Sequence, residues 1–268
     1  MKIGLVNGAQ REVSYAIPHA RHRKITKLIG ALAISAALVA LGGCATPNGA
    51  ASASRGDLQL SYAMPQAQGE QVPYRVFLPS AWRADRQWPL VVVLHGYAAN
   101  ANSPFVEADG ELQRQAEKHG FVLVAPNGYN GMADYGANLP LPSLLSRMDK
   151  PLQMKTEQES ALAEADVLNV VERVSRDYNV DARRIYLMGN SMGMTGTLHL
   201  AAKMPEKWCA ISPSDGPPWP NYPVERLRSI AVLFGHGDKD DIAKLSDTRE
   251  LTERAKAAGV DASMFVVP

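Results

Sequence analysis

Residues 89–95, PLVVVLH, form a continuous apolar run with no polar alternation. Such a run, with β-branched residues at its centre, is a strand buried on both faces, because a half-wet strand alternates polar and apolar positions. Helices are needed to cover both faces, so strands and helices should alternate along the chain. They do. Residues 121–125, 185–188, 208–211, 230–234 and 262–267 read as further strands, and helices are predicted over 104–119, 158–178, 192–204 and 244–258. The helix over 158–178 has the clearest pattern, with Val167, Val170, Val171, Val174 and Tyr178 on one face. Residues 57–64 and 72–78 read as an antiparallel pair ahead of this series. Residues 128–156, rich in Gly, Pro, Leu and Met without a clean period, read as a loop insertion and a candidate lid. This order predicts an α/β fold, a mostly parallel central sheet with helices on both faces and right-handed crossovers. Ligands of such sheets gather at the carboxyl ends of the strands.

The first 44 residues follow a different rule. Arg21, Arg23, Lys24 and Lys27 precede a 14-residue apolar run over 28–41, followed by Gly42, Gly43 and Cys44. A basic segment, a short apolar stretch and small residues make a secretory signal, and the run is shorter than the about 20 residues that span a bilayer. Leu41-Gly42-Gly43-Cys44 resembles the bacterial lipobox, in which a peptidase cuts before the cysteine and that residue carries lipid. A plain signal peptide with an incidental cysteine is the alternative. Ala45, where an aspartate would resemble an inner-membrane retention signal, favours the outer membrane, facing periplasm or cell surface. Residues 45–56 read as a flexible linker, leaving 57–268 as the domain.

The segment before Cys44 holds six Lys/Arg against one Glu, so the whole-chain charge of +1 becomes −4 in the remainder. That is no basic footprint, and nucleic acid is set aside as a partner. The two cysteines are Cys44 and Cys209. A bond between them would tie a processing site to a core element, so none is expected. Cys209, after Trp208 in a short apolar run, is read as a buried small hydrophobe. No Cys/His cluster has the spacing of metal ligands, so no metal is expected.

The motif with most chemical content is Gly189-Asn190-Ser191-Met192-Gly193, between a predicted strand and a predicted helix. G-x-S-x-G alone is a weak pattern; in a strand–turn–helix context it becomes specific. The turn is too tight for side chains at 189 and 193, and it lifts the Ser191 hydroxyl above the sheet. There the Met192 N–H and the helix dipole can stabilise an oxyanion. His95-Gly96-Tyr97 ends the central strand. Gly96 lets the backbone turn so that the Tyr97 N–H becomes the second oxyanion donor. His95 is read as a brace for this loop in preference to a catalytic base.

These residues, together with Leu94-His95-Gly96, residues 181–193 (DARRIYLMGNSMG) and Gly235-His236-Gly237-Asp238-Lys239-Asp240, resemble the α/β-hydrolase superfamily. The similarity is to its bacterial polyhydroxybutyrate-depolymerase-like and feruloyl-esterase-like esterases, close to the phospholipase/carboxylesterase relatives. It runs from about Val72 to the last residue. Two positions depart from the pattern: Asn190 stands where a histidine is usual, and Met194 replaces a second glycine after Gly193. The resemblance implies a serine hydrolase without a cofactor. Its triad acid, four residues after His236, falls on Asp240, with Asp238 and then Asp241 as alternatives and His236 as a bracing residue. A merely solvated acidic loop is the competing reading. The implied reaction is hydrolysis of a small-molecule or polymeric carboxylic ester through an acyl-enzyme on Ser191.

The base is the missing part. In this superfamily it lies on a loop after the final strand, here 262–267, and the sequence ends at Pro268. His19 and His22 fall in the export segment, and His119 opens a strand at the far edge of the sheet. His199 is eight residues down the helix from Ser191, about 12 Å along its axis, and His236 belongs to the acid loop. The chain is therefore expected to be C-terminally truncated, with little turnover, exposed apolar sheet surface and poor solubility. A prolyl-oligopeptidase type of peptidase and a non-catalytic binding lipoprotein on a hydrolase scaffold are the alternatives. Substrate choice is expected to depend on 128–156 and on 208–222. In the latter, Pro217-Pro218-Trp219-Pro220 forms either a pocket wall or just a rigid loop.

Overall fold

The computed structural model describes residues 55–107, 109–138, 156–217 and 219–268. The eight strands are β1 (Gly56–Met64), β2 (Glu70–Leu78), β3 (Trp88–Leu94), β4 (Val122–Pro126), β5 (Val180–Asn190), β6 (Ala210–Ser214), β7 (Ala231–Gly237) and β8 (Ala262–Val267). They form one sheet in the order β1-β2-β4-β3-β5-β6-β7-β8. β1/β2 and β2/β4 are antiparallel, and every other pairing is parallel. The α-helices are α1 (Ser103–Val106), α2 (Glu111–His119), α3 (Glu157–Asp177), α4 (Met192–Lys203) and α5 (Leu245–Ala257). This is the α/β arrangement that the unbroken apolar run of β3 demands. Since β4 pairs on one side of β3 and β5 on the other, the strand order reverses at β3. In sheets of this kind a crevice opens at that point, beyond the carboxyl ends of the strands.

The two faces are covered unequally. Leu90, Val92 and Leu94 of β3 join Ile185, Leu187, Ile211, Val232 and Phe234 in the large core, with Val167, Val170, Val171 and Val174 of α3 and Leu198 of α4 packed on it. On the opposite face, Val93, Leu123 and Ala125 pack on Phe105 of α1 and Ala116 of α2. Farther along that second face, Tyr186, Met188, Ala210, Ser212, Ala231 and Leu233 are only half-buried.

Local signals explain the best-formed helix. Thr156 caps α3 in a reciprocal box, its hydroxyl accepting from Glu159 N at 3.1 Å while Thr156 N donates to the Glu159 carboxylate at 2.8 Å. In other places tertiary structure corrects the sequence reading. The helix expected over 104–119 is two helices, because Asp109 (φ 47°) and Gly110 (φ 73°) take left-handed conformations between them. The strand expected at 208–211 begins two residues later. Cys209 thus sits outside the strand, exposed and unbridged, rather than buried. Of the insertion at 128–156, residues 128–138 form packed turns, and 139–155 lie outside the described residues. Cys44, the signal segment and nearly all of the 45–56 linker lie outside them too. Among the described residues no helix is long and apolar enough to cross a membrane.

Candidate active site

Ser191 occupies the sharp bend between β5 and α4 with φ 55° and ψ −119°. An L-residue held there carries strain of about 1–3 kcal/mol, and the surroundings over-determine it. Its N–H donates to Ser214 O at 3.0 Å, and its carbonyl accepts from Met194 N at 3.0 Å. A Cβ added at Gly189 would lie 2.5 Å from Gly193 O, and one at Gly193 would run into the Leu94 carbonyl oxygen. The bend is therefore pressed against its own strand and against the end of β3. A Cβ at Gly96 would meet Ser191 Cβ at 3.6 Å, so the loop after β3 passes beside the serine. Met192 N begins α4, among the first-turn amides for which a helix supplies no acceptor. Ser191, Met192 and the 95–97 loop are thus gathered at the carboxyl ends of β3 and β5.

His95 is 1% exposed. Its Nδ1 lies 2.7 Å from Gly96 O and its Nε2 2.9 Å from Asn127 O. Both ring nitrogens therefore face backbone carbonyls, one on its own loop and one on the loop after β4. Tyr135 adds a further support. Fully buried, it donates its hydroxyl to His95 O at 3.1 Å and sets its ring edge-on to the imidazole, with centroids 5.7 Å apart. Burial raises its hydroxyl pKa well above the ordinary tyrosine range, so it remains a donor.

The loop after β4 is in turn fastened to α3. Asp166 is 0% exposed. Its Oδ1 accepts from the Tyr62 hydroxyl at 2.8 Å and its Oδ2 from Tyr129 N at 3.2 Å. Burial pushes the Asp166 pKa up to about 6, against the opposing pull of those hydrogen bonds. Because the folded value exceeds the unfolded one, the stability this group contributes is fully present below about pH 4 and is lost as pH rises through about 6. Ser160 Oγ donates to Asp134 Oδ1 at 2.8 Å, and Asn130 Nδ2 donates to Glu159 Oε1 at 2.8 Å.

A second group lies at the ends of β6 and β7. Asp240 Oδ1 accepts from Ile242 N at 2.8 Å and Ala243 N at 2.9 Å, which leaves Oδ2 3.8 Å from His236 Nε2. The buried His236 faces Thr248 Oγ1 at 2.8 Å through Nδ1 and Ala243 O at 3.2 Å through Nε2. Asp215, just beyond β6 and left-handed at φ 50°, accepts from Gly237 N at 2.8 Å. One ligand atom from each of Asp215, His236 and Asp240 falls within 4.8 Å of the others. Asp238 and Asp241 are exposed.

Two further histidines are described. His199 Nε2 pairs with Glu164 Oε2 at 2.6 Å, a bond that holds the Glu164 pKa below its usual value. His119 is exposed at the end of α2. Each described ring thus lies exposed or bonds groups other than Ser191.

Comparison with known proteins settles the class. Residues 66–263 match the Esterase family. The chain belongs to this family. It is 26% identical over 156 residues to a bifunctional acetylxylan esterase/xylanase of Neocallimastix patriciarum, covering 58% of this chain and 19% of the relative. It is 32% identical over 126 residues to the acylamino-acid-releasing enzyme of Rattus norvegicus, covering 46% of this chain and 15% of that one. The esterase chain thus spans less than a fifth of either curated relative. A ferulic acid esterase structure from Anaeromyces mucronatus superposes with a TM-score of 0.58 at 16% identity, covering 79% of this chain and 82% of that one. That likeness is one of fold.

The sequence reading missed Asp166, Tyr135, Asn127 and Asp215. Asp166 alone had a local signal, as a carboxylate on the apolar face of α3, four residues before Val170.

Proposed function

We propose that this chain is a serine esterase in which Ser191 is acylated. The observation that carries the reading is the strained Ser191 backbone at a strand–helix bend, beside the 95–97 loop. In this reading Ser191 Oγ attacks the ester carbonyl carbon. The N–H groups of Met192 and Tyr97 receive the developing negative charge, while Gly189, Gly193 and Gly96 permit the close approach. Asp240 is the triad acid: its Oδ1 is locked by two amides, and Oδ2 is left for an imidazole. The base in this reading is a histidine other than the four described. It takes the Ser191 proton, delivers it to the leaving alcohol, and then activates the water that releases the acid. No cofactor takes part.

The names of the similar proteins support acetyl or feruloyl esters as the first substrates to try. The similarity to an acylamino-acid-releasing enzyme supports a second reading, cleavage of acyl-peptide bonds. In the full-length protein, nitrophenyl acetate and methyl ferulate should be hydrolysed at least about 100-fold faster than an acetyl-amino-acid anilide. A fluorophosphonate should label wild type but not Ser191→Ala. Preference for the anilide would favour the second reading, and wild type that resists the probe would sink both.

We also propose export and anchoring through lipid on Cys44, at the outer membrane. In the producing cell, a clickable palmitate analogue should label wild type, and Cys44→Ala should lose the label and leave the membrane fraction. Equal labelling of the two would rule the anchor out.

A further inference from the structure

The buried Asp166 carboxylate plays no part in the proposed chemistry, yet two contacts link it to the loop that passes beside the serine. We infer that Asp166 is a positioning residue for the oxyanion loop, acting through the turn at 127–129. This rests on the esterase reading above. The connection is continuous. The carboxylate accepts the Tyr129 N–H at 3.2 Å, in a turn with Gly128 and Tyr129 at positive φ. Holding this turn fixes the Asn127 carbonyl, which lies 2.9 Å from His95 Nε2. His95 leads directly into Gly96 and Tyr97. The same turn reaches the loop by two other bonds, from Ala98 N to Gly131 O at 2.9 Å and from Ala101 N to Asn127 Oδ1 at 3.2 Å.

A carboxylate suits the site because both of its oxygens meet donors, Oδ1 the Tyr62 hydroxyl and Oδ2 the Tyr129 amide. Among the described residues no cation is hydrogen-bonded to Asp166. From β1 comes the Tyr62 hydroxyl, which also receives Asn169 Nδ2 at 3.4 Å. From the turn comes the Tyr129 amide, with Tyr129 directing its own hydroxyl to Glu70 at 3.1 Å. Tyr135 adds a neutral phenol, and Arg173 of α3 lies over the Tyr62 ring, 5.0 Å from its centroid. Ionised Asp166 therefore costs stability at neutral pH.

Asp166→Asn keeps the shape and removes the charge: one oxygen remains for the Tyr129 amide, and the new NH2 can donate to the Tyr62 hydroxyl oxygen. In the full-length protein at about pH 8, where Asp166 is ionised, this variant should melt no lower than wild type. At saturating fluorophosphonate its labelling rate should fall about tenfold, with the half-saturating concentration within about twofold of wild type. Amide hydrogen exchange should quicken in 95–99 and 127–131 and be unchanged in β7. Tyr62→Phe, which leaves the charge and the bond from the Tyr129 amide, should label at close to the wild-type rate. Unchanged labelling and exchange in Asp166→Asn would overturn the inference. So would a melting temperature that falls together with the rate, or Tyr62→Phe losing as much rate as Asp166→Asn. If wild type itself resists the probe, the esterase reading fails, and the exchange of 95–99 still decides whether Asp166 orders that loop.

Discussion

Ser191→Gly is expected to give a protein that is more stable and has lost its activity. At φ 55° and ψ −119° the serine Cβ is crowded by its own backbone, at a cost of about 1–3 kcal/mol, and glycine removes that cost. Glycine also gives the unfolded chain more freedom, which takes back about 0.5–1 kcal/mol. The net gain of about 1 kcal/mol corresponds to roughly 2–4 °C in Tm for a domain of this size. Removing the nucleophile should lower kcat on the order of 10^6-fold, as loss of a triad serine does elsewhere. Calorimetry of the variant beside Ser191→Ala separates the two effects. Alanine loses the hydroxyl but keeps the Cβ, so it should be equally inactive without the gain in Tm. A glycine variant that melts below wild type would mean the bend is not strained. Esterase activity surviving in either variant would remove Ser191 from the chemistry.

Gly193→Ala is expected to fail in the opposite way, losing stability and activity together. The added methyl would be driven into the carbonyl oxygen of Leu94 and would lie 3.0 Å from that of His95. Neither neighbour is a side chain that can swing aside. Both belong to backbone at the end of a central strand, paired on each side. Relief requires α4 to move away from β3, opening the buried contacts of Leu198 and Met194. Overpacking in a closed site costs about 1–3 kcal/mol, and more where the obstacle is main chain, so about 3 kcal/mol is expected from denaturant unfolding. Because the displaced helix carries Met192 N–H, ester hydrolysis should fall at least about 100-fold, as after loss of an oxyanion donor. A variant folding and turning over like wild type would show that the elbow does not need to lie so close to β3.

These expectations differ in how they could be known. The Gly189 to Gly193 motif is five consecutive residues, and its flanking strand and helix were visible from their own periodicity, so the bend at Ser191 was legible without a fold. The same holds for the body of α3, where the valines repeat every three or four residues, whereas its Thr156–Glu159 cap came from the structure. Asp240 was placed by family resemblance, and the structure adds only that its carboxylate is held by the amides two and three residues on. Cys209 was misread because an apolar neighbour suggested burial, whereas the start of β6 at Ala210 leaves it outside the strand.

The sequence by itself determined the elements, their alternation and hence the layered sheet, because each depends on residues within a few positions of one another. Only the tertiary structure decided what supports the serine. Asp166 meets Tyr129 across 37 positions, Tyr135 meets His95 across 40, and Asp215 meets Gly237 across 22. No short-range pattern encodes such pairs. They exist because β4, β3, β5, β6 and β7 lie side by side with α3 packed on their core face, and a parallel sheet brings together the loops at one end of strands that are distant in the chain.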